Sequence, residues 1–224
     1  MALEILDSIQ RQILTSLISI PELESFYLTG GTALSAFYLF HRKSRDLDIF
    51  TSEEELILPF SFKTEKALKE EGLKTERTRG LHSFIELAVQ GKEESAVLHI
   101  ALDSPFRLNP PIDDKEFQGL KIDSLPDIAA NKLLALFGRA NLRDFIDVFF
   151  LVKEKFNKSE LIKKARKKDP GFDLYWLGNA FERINEYTDD SPEMFLLMRS
   201  CSFFDLKRFF DEWKKEIFKQ ITEE

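Results

Sequence analysis

Apolar residues recur at helical spacing from Leu3 to Ser19, through Leu6, Ile9, Ile13, Leu14 and Leu17, and Pro21 closes the segment. Phe26 to Thr29 predicts a short strand running into Gly30-Gly31, with a helix following from about Thr32 to Phe40. The run Asp46-Leu47-Asp48-Ile49-Phe50 alternates polar and apolar positions and predicts a second strand. A charged helix is expected around Lys63 to Glu71, with Gly72 as its C-terminal cap. Three strand candidates follow: Leu73 to Thr78, His82 to Val89 with clear alternation, and Ala96 to Leu102. Asn109-Pro110-Pro111 and its neighbours read as a loop. From Ser124 onward nearly everything reads as helix, interrupted at Asp169-Pro170-Gly171 and Asp190-Ser191-Pro192. The order predicts an α+β chain with a small mixed domain over residues 1–120 and a helical domain over 121–224. Four or five short strands with helices on one face are expected.

Composition narrows the class. The 224 residues are 43% hydrophobic, enough for one sizeable core or two modest ones. The 22 phenylalanines fall mostly in the second half and point to aromatic packing between helices. A formal charge of −7 argues against a protein that coats nucleic acid, though it leaves room for a local basic groove. The basic run Lys163 to Lys168 reads first as a solvated helix face and second as a docking patch for an RNA backbone. Cys201 is the one cysteine, which excludes a disulfide framework and a thiolate metal site. The start MALEILDSIQRQ carries acids, unlike a signal peptide, and no run of about 18 apolar residues is present, so a cytoplasmic protein without a membrane span is expected.

Candidate chemistry centres on Gly30-Gly31-Thr32 and, after thirteen intervening residues, Asp46 and Asp48. Glycine lets a phosphate approach the backbone closely, and a strand-to-helix turn offers N–H groups to a triphosphate. The bland alternative is a tight turn with Thr32 as helix cap. Asp46 and Asp48 share one strand face and repel each other unless a cation lies between them; Mg²⁺ suits paired carboxylates plus substrate phosphates. Surface ion pairs to Arg42, Lys43 and Arg45 are the alternative. Asp103 ends a strand in phase with His99 and is the candidate third carboxylate, with His99 its rival and a turn-opening Asp the structural explanation. Lys132 lies in a helix apolar nearly all round, so its ammonium needs an anion, either a triphosphate or an aspartate. Asp144 or Asp147 is expected against Lys132 or the substrate, and Arg139 or Arg143 near phosphate; helix-terminal and intrahelical pairing are the plainer readings.

Taken in order, GGTAL at Gly30 to Leu34, HRKSRDLDIF at His41 to Phe50, the Asp103 strand end and IAANKLLALFGRANLRDFIDVFFL at Ile128 to Leu151 resemble the AbiEii-type nucleotidyltransferases, toxins of abortive-infection and toxin–antitoxin systems. The likeness covers roughly residues 25–152. It implies a minimal nucleotidyltransferase sheet joined to a helical domain. By that resemblance Asp46, Asp48 and Asp103 hold two Mg²⁺ ions, with His99 the alternative to Asp103 and one tight metal its consequence. Gly30, Gly31, Thr32, Ser44, Lys132, Arg139 and Arg143 form the implied nucleotide-binding set, and Asp144 and Asp147 the later acidic motif. Thr32 stands where a serine is common in the wider superfamily. The implied reaction moves a nucleoside monophosphate from a nucleoside triphosphate to an acceptor hydroxyl, in an RNA such as the 3′ end of tRNA, with a cognate antitoxin as partner. A small-molecule or protein acceptor, or nucleotide binding without transfer, are the alternatives.

Overall fold

The structure is a computed structural model and describes residues 5–223. The predicted helix start at Leu3, and the first four residues of the segment read as unlike a signal peptide, lie outside the described residues. The chain forms two compact units dividing between Ser124 and Leu125.

The first unit is built on a mixed sheet. Its elements are α1 (Ser8–Ile18), β1 (Tyr27–Thr29), the short α2 (Gly30–Leu34) continuing into a π-turn over Ser35–Leu39, β2 (Asp46–Thr51) and α3 (Glu54–Glu70). β3 (Lys74–Leu81), β4 (Phe84–Gln90), β5 (Ser95–Leu102), β6 (Ile112–Asp113) and β7 (Lys121–Ile122) complete it. The strands pair in the order β3-β4-β5-β2-β1-β7-β6. Among the described residues seven strands stand where four or five were expected, because β6 and β7 are two residues each, too short to register as a pattern. β2 runs parallel to β5 and antiparallel to β1, which fixes the neighbours of the aspartates.

Period-two alternation sorts the sheet into two faces. Leu47, Ile49, Ile85, Leu87, Val89, Leu98 and Ile100 are buried on the side covered by α1 and α3. Asp46, Asp48, Glu86 and His99 occupy the alternate positions and are half-buried. The α3 helix starts well before the expected Lys63, with Pro59 inside it. An interior proline costs a helix about 3 kcal/mol. Burial of Ile57, Phe60 and Leu68 offsets that cost, with Phe60 stacked on Phe26 at 4.0 Å between ring centroids.

The second unit is helical: α4 (Leu125–Gly138), α5 (Leu142–Glu154), α6 (Lys158–Lys168), α7 (Leu174–Ala180) and α8 (Phe203–Glu223). The α8 helix buries Leu206, Phe210, Trp213 and Ile217, a stripe at helical spacing. Phe210 packs edge-on against Phe145 at 4.9 Å and Phe181 at 5.0 Å, so these phenylalanines build the unit's core. Residues Phe181–Glu186 and Pro192–Leu196 form 3₁₀ turns where helix was expected. Among the described residues no helix is long and apolar enough to cross a membrane.

Candidate active site

The glycine turn and the aspartate strand are brought into direct contact. Thr29 at the end of β1 pairs with Asp48 on β2, so Gly30 emerges beside the Asp48 side chain. Gly30 has φ 73°, a left-handed conformation that favours glycine. A Cβ at this position would stand 1.9 Å from Oδ2 of Asp48 and 2.8 Å from its Cγ. The missing side chain is therefore the space in which the carboxylate sits. The buried Thr32 hydroxyl donates to the carbonyl of Asp46, tying the turn to β2 a second time, and it caps no helix. Gly31 is buried in the same turn. Ser44 precedes the strand and accepts, through its carbonyl, a hydrogen bond of 2.8 Å from Nε2 of Gln10.

Register carries the contact outward across the sheet. Asp48 lies opposite His99 on β5, and His99 lies opposite Glu86 on β4. Nδ1 of His99 is 2.9 Å from Oδ1 of Asp48, and Nε2 is 3.3 Å from Oε2 of Glu86. The Nδ1 contact is a hydrogen bond, and the Nε2 contact to Glu86 is an ion pair when the ring is protonated. Burial opposes that charge, but the hydrogen bond and charge of Asp48, with Asp46 and Glu86, raise the His99 pKa above its usual value. Glu86 in turn accepts 2.6 Å from the Thr78 hydroxyl, which with Arg79 and His99 lowers its pKa.

Asp103 is elsewhere, and this corrects its expected place with Asp46 and Asp48. It follows the last residue of β5, four positions beyond His99, which puts its backbone about 13 Å further along the sheet at ~3.3 Å per residue. Its carboxylate accepts from the Tyr27 hydroxyl at 2.5 Å and from the Ser104 N–H at 2.8 Å, with Arg107 Nη1 at 3.4 Å. Arg107 lies over the Tyr27 ring, 4.2 Å from its centroid, and also pairs with the buried Asp123. Asp123 accepts 2.6 Å from the Thr29 hydroxyl and, through its carbonyl, 2.7 Å from Tyr38. Burial, with Asp103 and Asp123 nearby, raises the Tyr27 pKa; burial and Asp123 push Tyr38 up to about 12. Both phenols are donors at neutral pH. Tyr27, Arg107, Asp123 and Glu86 were not singled out from the sequence, although Glu86 sits on the polar phase of a strand already recognised as alternating.

Within the second unit, Lys132 on α4 is buried and lies 2.7 Å from Oδ2 of Asp147 on α5. An aspartate thus neutralises the ammonium, one of the two partners expected for it. Arg139 grips Asp144 through two hydrogen bonds of 2.8 and 2.9 Å. Arg143 is half-buried on α5. Lys168, last of the basic run, is not a solvated end: its amine is 2.9 Å from Oδ1 of the buried Asp127. The carboxylates of Asp127, Asp144 and Asp147 are fully buried, and each has a cation against it.

Asp46 and Asp48 are hard oxygen donors on one face, and they fit a magnesium ion whose remaining ligands are water and substrate phosphate. Among the described residues no three His, Cys, Asp or Glu side chains gather into a self-sufficient metal cage.

Solved structures share this architecture. A nucleotidyltransferase-type protein from Helicobacter pylori superposes with a TM-score of 0.61 at 19% identity, over 95% of this chain and 93% of that one. The MenT4 nucleotidyltransferase toxin of Mycobacterium tuberculosis gives 0.54 at 16% identity, over 90% and 80%. At such identities the likeness speaks for fold. An uncharacterised protein of Aquifex aeolicus is 30% identical over 199 residues, 83% of this chain and 92% of its own length. The sequence pattern described as the nucleotidyl transferase AbiEii toxin of type IV toxin–antitoxin systems runs through residues 12–216. That span takes in the glycine turn, the aspartate strand and the helices of the second unit, and the chain belongs to the AbiEii nucleotidyltransferase toxin family.

Proposed function

We propose that this nucleotidyltransferase works with magnesium, that Asp46 and Asp48 are the protein ligands of the cation, and that the acceptor is an RNA hydroxyl such as the 3′ end of tRNA. The observation that carries the reading is the seat of Asp48 over Gly30, with a carboxylate oxygen occupying the place of a Cβ. Phosphate bound along a glycine turn meets backbone N–H groups, and here the Asp48 carboxylate stands against the turn with Asp46 on the same strand face.

In the reaction the acceptor oxygen bonds to the α-phosphorus while the bond to the bridging oxygen of pyrophosphate breaks. Magnesium, when bound, supplies the positive charge that the phosphate oxygens need. Asp46 and Asp48 hold that charge on one strand face, and Gly30 keeps the backbone close enough for phosphate to approach both. Thr32, donating to the Asp46 carbonyl, keeps turn and strand in register. The chemistry is positioning and electrostatics, as expected for transfer of a phosphoryl group.

The test is incubation with each α-³²P-labelled nucleoside triphosphate, magnesium and a cell extract, then separation of RNA, protein and metabolites. Label is expected in RNA, and Asp48→Asn should reduce it by at least 100-fold with the fold intact. Full labelling by Asp48→Asn contradicts the site. Label confined to protein or metabolites overturns the RNA acceptor, and nucleotide binding without pyrophosphate release overturns transfer.

A further inference from the structure

We propose that His99 and Glu86 are positioning residues that clamp Asp48 for transfer: Glu86 holds the imidazole, and the imidazole holds one carboxylate oxygen while the other rests on Gly30. The proposal builds on Asp48 as a site carboxylate and assigns His99 a role other than metal ligand.

The two oxygens of Asp48 have different surroundings. Oδ1 faces Nδ1 of His99 at 2.9 Å, and Oδ2 packs where the Cβ of residue 30 would be. Rotation about the carboxylate's last torsion breaks the first contact or drives an oxygen into the turn. The histidine is held as well: its other nitrogen meets Glu86 at 3.3 Å, and the Phe84 ring lies 5.4 Å from the imidazole centroid. Glu86 is anchored by the Thr78 hydroxyl at 2.6 Å. Both ring nitrogens of His99 already face carboxylates, Nδ1 at 2.9 Å from Asp48 and Nε2 at 3.3 Å from Glu86. The members stand on three neighbouring strands in strict register, so the sheet itself sets the distances. A side chain that orients a ligating group in this manner typically changes metal affinity or activity by about 10–100-fold when removed.

The chain of contact makes a prediction that simple stability does not. Glu86 reaches Asp48 only through His99, so its loss should matter only while His99 is present. Pyrophosphate release would be followed in cell extract with a mixture of ATP, GTP, CTP and UTP. Mn²⁺ affinity would be followed by electron paramagnetic resonance with a non-hydrolysable ATP analogue. His99→Ala should lower kcat and weaken Mn²⁺ binding by about 10-fold or more while the nucleotide KM stays within about twofold. Glu86→Ala should show a smaller loss, Glu86→Gln should restore most of it, and Glu86→Ala with His99→Ala should equal His99→Ala alone.

Multiplying losses in the double variant, or full activity and Mn²⁺ affinity in His99→Ala, overturns the clamp. So does complete loss of Mn²⁺ binding in His99→Ala with none in Glu86→Ala, the signature of a direct ligand. Asp48→Asn separates the two levels. If that variant is inactive while His99→Ala and Glu86→Ala are normal, the clamp fails and the site stands; if Asp48→Asn is fully active, the site fails and the clamp with it.

Discussion

At Gly30 two demands coincide: a left-handed backbone and room for the Asp48 carboxylate. Gly30→Ala should cost about 1–2 kcal/mol from the backbone alone, and the displaced carboxylate should abolish transfer. Urea denaturation and the labelling assay check the two effects separately; an active, undestabilised variant would contradict both. Cys201 makes a second prediction. Burial, then the nearby Asp205 charge, pushes its thiol up to about 11, with Lys153 opposing. Raising an acid's pKa shrinks its thiolate fraction, so at pH 8 iodoacetamide should alkylate Cys201 roughly 200-fold more slowly than an ordinary thiol of pKa about 8.5. Mass spectrometry over time reads this directly, and alkylation at the ordinary rate would refute it. Asp46, Asp48 and the glycine turn were legible because strand alternation and glycine chemistry are local. Glu86 was not, since its relation to Asp48 depends on register across β4, β5 and β2, which spacing along the chain does not encode.

Helices of the second unit are joined by ion pairs whose acids have no exposure. Asp147→Asn leaves the Lys132 ammonium buried without its counter-charge and should destabilise by about 3–5 kcal/mol. Replacing both partners, Lys132→Met with Asp147→Leu, should recover most of that loss, as a buried pair is often no better than packed apolar groups. Chemical denaturation of the variants decides it; an additive loss in the double variant would rule the account out. The apolar surroundings of Lys132 made its need for an anion readable, but not the choice of Asp147. Other elements escaped for definite reasons. Pro59 hid the first half of α3, two-residue strands carry no alternation, and the 3₁₀ turn over Phe181–Glu186 is set by packing of Phe181 against Phe210 more than by local propensity.

For the whole chain, family membership predicts growth arrest. Strong expression of the native sequence should stop colony formation, and Asp48→Asn should restore it. Arrest that persists with Asp48→Asn would separate toxicity from this site. The charge of −7 bears on RNA as acceptor: with acidic residues outnumbering basic ones, RNA association should have a shallow salt dependence compared with proteins that coat nucleic acid.

The row joining Thr29, Asp48, His99 and Glu86 is complete only once four strands have paired. Its members come from four strands, and the parallel pairing of β2 with β5 bridges about fifty residues, a topology that closes slowly. A copy in which β2 and β5 have not yet paired lacks the row, so the site proposed above would form together with the sheet.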